Sequence, residues 1–421
     1  MNPINQWDWK PGRRVIADID EMKGRYSKAY ETATSQDGEN FAAVVETDEM
    51  EFGVCVNGKP WENGFDKIWH LRYGADGRLS AIVSDTGMWT VGVDGVVWEE
   101  THEFVWNPIV SADGAHMAVA VQNGTRHRMA LDGAAWENDY TSLSGATLSP
   151  DGTKTASVVQ TIATKEGDIF EWQKGCYSVA VDGTPWERNF VNVYEPAFSV
   201  DGKRVAATVR TSLYDYTIVV DGKSWDQLFP CAWGPLFSPV SSGVVAPVKT
   251  SKGWTLAEDG KLLWPETFVQ LWHPAYSPDG GRLAAIVAPK FGRWTVAVDG
   301  NPWEVTFGDS VTDLTFSPDG AKIACVAKEK NAATVVVDGQ PWSTSFDVVW
   351  KPVFSPDGKT VAARVKKDGR FGIAVNGRLA TVEMESAWDP IFSPDGDKLL
   401  IRGIVMDSGK KCIRGVMPLN G

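Results

Sequence analysis

Short apolar runs, each closed by a sharp polar turn, follow one another along the whole chain. One stretch shows the pattern complete: Val311 to Phe316 enters a turn, Ala321 to Ala327 leaves it, Ala333 to Val337 enters a second turn, and Gln340 to Phe346 leaves that one. Runs of 5–7 residues rich in Val, Ile, Phe and Thr, bounded by Asp-Gly or Pro-Asp-Gly, predict strands joined as hairpins. Gly supplies the positive φ such turns need, and Asp can bond its own backbone two residues on. No segment carries a sustained helical period.

The pattern repeats. A turn of the Ser-Pro-Asp-Gly type places its Asp at 37, 76, 113, 151, 201, 279, 319, 357 and 395, and Ser238 to Gly243 fills the remaining interval as a degenerate tenth copy. Out of phase with it, turns of the type Val-Asp-Gly or Val-Asn-Gly fall at Asn57, Asp94, Asp132, Asp182, Asp221, Asp259, Asp299, Asp338 and Asn376. Copies lie 37 to 40 residues apart, except for one interval of 50. Four short antiparallel strands per unit, repeated, predict an all-β fold, a β-propeller of four-stranded blades. Asn420-Gly421 looks like a further copy of the second turn without its outgoing strand, and Arg13 to Met22 can supply that strand. The expectation is therefore one domain over 1–421 with ten blades in one ring, residues 1–25 completing the last blade and 161–176 forming an inserted loop. Two five-bladed rings are the alternative.

Sorted by phase in the repeat, the 20 Trp fall into sets. Trp61, Trp98, Trp136, Trp186, Trp225, Trp264, Trp303 and Trp342 follow the second turn, and Trp89, Trp254 and Trp294 precede it; both sets are expected to pack blade on blade. Acidic residues following the first set, such as Glu137 and Glu304, either accept protons or are solvated. Trp69, Trp106, Trp233, Trp272, Trp350 and Trp388, with Tyr30 and Tyr194 in the same phase, open the strand expected to line the channel. They form either a partner-binding or sugar-stacking aromatic rim or further packing. The inserted loop offers Lys165, Phe170 and Trp172 as contact residues.

Composition narrows the chemistry. The formal charge of −13 argues against a duplex-binding surface. No stretch approaches the roughly 20 apolar residues of a membrane span, and the N-terminus lacks a secretory pattern, which points to the cytoplasm. The five cysteines (55, 176, 231, 325 and 412) form no Cys-x-x-Cys and read as buried small apolar residues. His70, His102, His116, His127 and His273 have no metal-ligand spacing, and no Gly-x-Ser-x-Gly elbow or phosphate-binding loop is present. No catalytic residue, metal or cofactor is called for.

The Ser-Pro-Asp-Gly units resemble the WD40-like repeats of TolB-type propellers, a resemblance covering essentially the whole chain. In its Trp content, its Val-Asp-Gly-x-Pro-Trp-Glu units and its absent signal, the chain also resembles the tryptophan-rich subunits of the transmembrane redox complex of sulfate-reducing bacteria. That resemblance implies a cofactor-free, non-catalytic accessory subunit at the cytoplasmic face, docked to iron–sulphur and cytochrome subunits. A Trp chain for electron hopping is not implied, because indole oxidation needs far stronger oxidants than low-potential haem or iron–sulphur donors. The alternative function is a carbohydrate or small-ligand binding propeller of lectin type, with a channel-mouth hydrolase or lyase third.

Overall fold

The computed structural model of the protein describes every residue except Met1, Asn2, Ser27, Glu49, Lys165, Glu166, Val382, Asp407, Asn420 and Gly421. The expected turn at Asn420-Gly421 thus lies outside the described residues. The fold is an all-β propeller of ten antiparallel sheets, taken up by the chain in sequence order. Residues 1–81 with 275–421 form one compact unit and residues 82–274 another.

The eighth sheet shows how the sequence builds a blade. Ser310–Phe316, Ile323–Glu329 and Ala332–Val337 are its long strands, while the fourth is only Gln340–Pro341. The expected fourth strand to Phe346 is thus cut short. Strands without a proline there, such as Val96–Val97 and Lys223–Ser224, are equally short; after the Trp342 amide bonds the Val335 carbonyl, the chain meets the sheet again at the bridge between Ala333 and Phe346. Eight other blades repeat this bridge, mostly with aromatic partners such as Tyr177–Phe190 and Trp254–Phe268.

Both turns are held by side chains. In the first, Ser317 Oγ donates to Asp319 Oδ1 and accepts from the Lys322 amide, while Asp319 Oδ1 accepts the Ala321 amide. The serine hydroxyl, and after it the backbone amide, holds the Asp319 carboxyl below its usual range, and Asp113, Asp151, Asp201, Asp279 and Asp357 are lowered in the same way. A carboxylate depressed on folding stabilises above its unfolded pKa of about 3.9 and loses that contribution as pH falls toward its folded value. Unfolding should therefore set in steeply below about pH 4. Ser317→Ala should move the acid transition followed by circular dichroism to higher pH; an unmoved transition would refute the account.

In the second turn the Asp or Asn adopts a left-handed backbone and its Oδ1 receives the first amide of the blade's second strand, as Asp338 does for Ile323 and Asn376 for Val361. Either residue serves, since only an acceptor oxygen is needed. The following Gly answers a second demand. A Cβ on Gly183 (φ +80) would stand 3.1 Å from Trp136 of the preceding blade. Trp98, Trp186, Trp225, Trp303 and Trp342 lie in the same way against Gly133, Gly222, Gly260, Gly339 and Gly377. Six of the first Trp set thus pack blade on blade, as expected. The acidic residues that follow it, Glu62, Glu99, Glu137, Glu187, Asp226 and Glu304, are all exposed.

Cores lie between neighbouring blades. In the unit 82–274, Val158, Val179 and Phe190 of the fourth blade pack with Val193, Val205 and Val209 of the fifth. Four cysteines are buried and Cys231 is half-buried, all five unpaired. Burial pushes the Cys412 thiol up to about 12.

In the other unit the first and last blades are joined by the N-terminal segment. Gly12–Asp18 pairs antiparallel with Lys410–Pro418, which pairs with Lys398–Met406. The strand expected to run on to Met22 stops at Asp18. Asp18 instead caps a short helix, Ile19–Arg25, by accepting the Asp20 and Glu21 amides, so Met22 is buried from a helix rather than a strand. Beside its apolar core the join has a polar pair where the eighth blade is apolar. Arg402 and Arg414 are paired across the two last strands, at a register that places Val326 opposite Val335 in the eighth blade. Arg402 donates to the carbonyls of Ser35 and Asp389, and burial lowers its pKa to about 10.

Candidate interaction site

The first strand of each blade carries the candidate aromatic position at its start, away from the Ser-Pro-Asp-Gly turn that ends it. Directly after it the ladder slips. Register shifts follow Trp106, Ser144, Tyr194 and Thr312. The residue just after the aromatic position is left-handed in six blades: His70, Asn107, Gly145, Glu195, His273 and Asp313, with φ between 49° and 58°. These are bulges, in which two residues oppose one. Pro commonly occupies the next place (Pro108, Pro196, Pro235, Pro274, Pro352, Pro390), where no ladder hydrogen bond is required of it.

Aromatic-x-Pro coincides with a left-handed x in three blades, at Asn107, Glu195 and His273, and x is where the repeat ceases to repeat. Across the ten blades it reads Glu31, His70, Asn107, Gly145, Glu195, Gly234, His273, Asp313, Lys351 and Asp389. Asn, Asp and His tolerate positive φ better than other non-Gly residues, and Glu less well. Residues held in such conformations persist where the surroundings impose them, and they cluster at functional sites.

The aromatic positions divide into covered and open rings. Trp350 stacks on Phe371 (5.4 Å between centroids) and lies under the Arg364 guanidinium (4.3 Å). Trp388 packs with Ile16, Tyr26 and Ile404 into the core that joins first and last blades. Trp106 is half-buried, stacked with Phe104 and edge-on to His127. Trp69, Tyr194 and Trp233 are 39%, 40% and 44% exposed, and Trp272 is half-buried. Trp233 lies flat on Trp254 (5.4 Å, 4°), so rings preceding the second turn support the rim position of their own blade as well as packing between blades.

Open rings line clefts. In the unit 1–81 with 275–421, Tyr30, Phe52, Lys67 and Trp69 enclose about 320 Å³, where Glu31 Oε2 accepts the Leu71 amide. In the unit 82–274, a cleft of about 340 Å³ between Tyr194, Tyr216 and Trp233 adjoins one of about 520 Å³ between Glu195, Trp233 and Trp272. The structure thus brings Tyr194, Trp233 and Trp272 together.

The inserted loop contains a helical turn, Ile169–Gln173, capped by Asp168, where no helix was expected. Trp172 is half-buried beside Arg210 (5.8 Å) and anchors the loop, while Phe170 is 80% exposed. Lys165 lies outside the described residues. Among the histidines, His102 is buried, which lowers its pKa, and His116 pairs with Asp132 at 2.6 Å. Among the described residues, no group of three or more His, Cys, Asp or Glu is placed to hold a metal ion, and no helix is long and apolar enough to cross a membrane.

No family model matches the chain, and no curated protein does. Solved structures with similar backbones include a eukaryotic initiation factor, 12% identical over 80% of this chain and 89% of its own, at TM-score 0.47. The Dos1 propeller is 12% identical over 90% and 96%, at TM-score 0.38. The β-propeller domain of Cps50 (Swd1) from Myceliophteria thermophila is 13% identical over 71% and 98%, at TM-score 0.33.

Proposed function

We propose that this protein is a non-catalytic interaction scaffold. One observation carries the reading: a rigid repeat presents, at a single position per blade, residues of unlike charge beside partly exposed rings. A regular frame with one irregular row suits recognition of an extended protein surface. The finer reading, supported by the resemblance to tryptophan-rich redox-complex subunits, places its partners among the iron–sulphur and cytochrome subunits of a membrane electron-transfer complex, at the cytoplasmic face. Gentle extraction of native membranes followed by mass identification of co-purifying chains tests both levels. Cytochrome and iron–sulphur subunits are expected, and their loss on combining Trp69→Ala with Trp233→Ala would place contact at the open rings. Other protein partners would keep the scaffold and remove the redox assignment. A partnerless protein whose Trp fluorescence responds to saccharides would replace the scaffold with the lectin reading.

A further inference from the structure

We propose that the cleft between Glu195, Trp233 and Trp272 takes a basic side chain, lysine or arginine, presented by a partner protein. The proposal rests on the scaffold reading and names the chemistry recognised at one of its sites.

Charge complementarity fixes the occupant. Glu195 is exposed, and its carboxylate has no hydrogen-bond donor or cation partner among the described residues. No Lys or Arg lines this cleft or the adjoining one. Pro196, Pro235, Pro247 and Pro274 form much of the wall. They have no N–H groups, so they offer an anion nothing.

The backbone beneath the carboxylate is constrained, and room is left for the side chain. Glu195 keeps a left-handed backbone (φ 49°), a conformation costing roughly 1 kcal/mol or more for a non-Gly residue. The next blade has Gly at the equivalent place, and a Cβ on Gly234 would stand 2.2 Å from Glu195 Oε2. The missing side chain is what leaves room for the carboxylate. Trp233 is fixed by its stack on Trp254, by its amide bond to the Pro247 carbonyl (3.0 Å) and by the Thr208 hydroxyl on its own carbonyl (2.7 Å). A fixed indole beside a lone carboxylate attracts a cation through its ring face and through charge together. His273, also left-handed, lines the far side.

Fluorine NMR of fluorotryptophan-labelled protein tests the proposal, with Trp233→Phe and Trp272→Phe assigning the two signals. N-acetyl-lysine methylamide and N-acetyl-arginine methylamide should shift both signals, and the neutral N-acetyl-norleucine methylamide should not. Glu195→Gln should weaken lysine binding by about tenfold. Glu195→Gly removes the same charge while accepting the positive φ, so the comparison survives if Gln misfolds. Equal binding of the norleucine probe, or unchanged affinity in both Glu195 variants, overturns the proposal. Partners that still co-purify with a Glu195→Gly protein would then leave the scaffold intact and exclude this cleft alone. Cation binding without any co-purifying partner would do the reverse.

Discussion

Removing residues 1–18 should cost on the order of 5 kcal/mol, because six ladder pairs with Lys410–Pro418 are lost at about 1 kcal/mol per hydrogen bond. The loss goes beyond the ladder. Arg414 donates to the carbonyl of Asp8, and Asp18 pairs with Lys411 and lowers its own pKa by doing so. Deletion takes the Asp8 carbonyl from the buried Arg414 guanidinium, which keeps Asp37 and Glu39, and exposes a strand edge, which invites pairing with other chains. Against a typical total of about 5–15 kcal/mol, this is a large fraction of the stability. The urea midpoint should fall sharply, and a peptide of residues 1–18 added in trans should restore part of it by strand addition. A truncated protein unfolding at the wild-type midpoint would show that the N-terminal strand contributes nothing to the fold.

Trp136→Ala should destabilise by about 3–5 kcal/mol, the range for deleting a buried large aromatic side chain. Trp136 is 6% exposed, lies over Gly183 of the following blade and donates its indole N–H to Thr155 Oγ1 at 2.8 Å. Its removal leaves a cavity between two blades and takes one of the two partners of the Thr155 hydroxyl, which still donates to Asp182 Oδ1 at 3.3 Å. Tyr140 and Asn138 still bond the Gly183 carbonyl, so the turn itself should persist while the interface loosens. Trp342→Ala, at a half-buried member of the same set, should cost less under the same urea titration. Equal losses at the two sites would mean that burial between blades does not set the cost.

Much of this architecture was legible because the informative residues recur in phase. Asp at both turns, Gly after the second turn and Trp four residues on each answer a local demand that every blade makes. The join between the ends was legible only in outline: a strand was expected over Arg13 to Met22, but it ends at Asp18, which caps the helix at Ile19. The site was less legible, since one period covers rings with opposite fates. Trp388 and Trp233 occupy equivalent places, yet one is taken into the core around Met22 and the other lies open on Trp254. That difference comes from what neighbouring strands bring, which a repeat pattern does not encode. The bulge went unread: aromatic-x-Pro marks only three of its six left-handed positions, and the rest depends on backbone angles that only the folded chain displays.

Sequence separation gives the last blade a different history from the others. Most blade contacts join residues within one repeat or two, whereas the Lys410 amide reaches Asp20 across 390 residues and Arg402 reaches Ser35 across 367. On a ribosome adding about 5–20 residues per second, Gly12–Asp18 waits roughly 20–80 seconds for its partner strand to be made. The waiting segment is suited to the delay. Arg13, Arg14 and Asp18 leave only Val15, Ile16 and Ala17 as its apolar stretch, too short and too charged to recruit another nascent chain. The strand that closes the fold is thus also one that can stay unpaired in water until the rest of the protein exists.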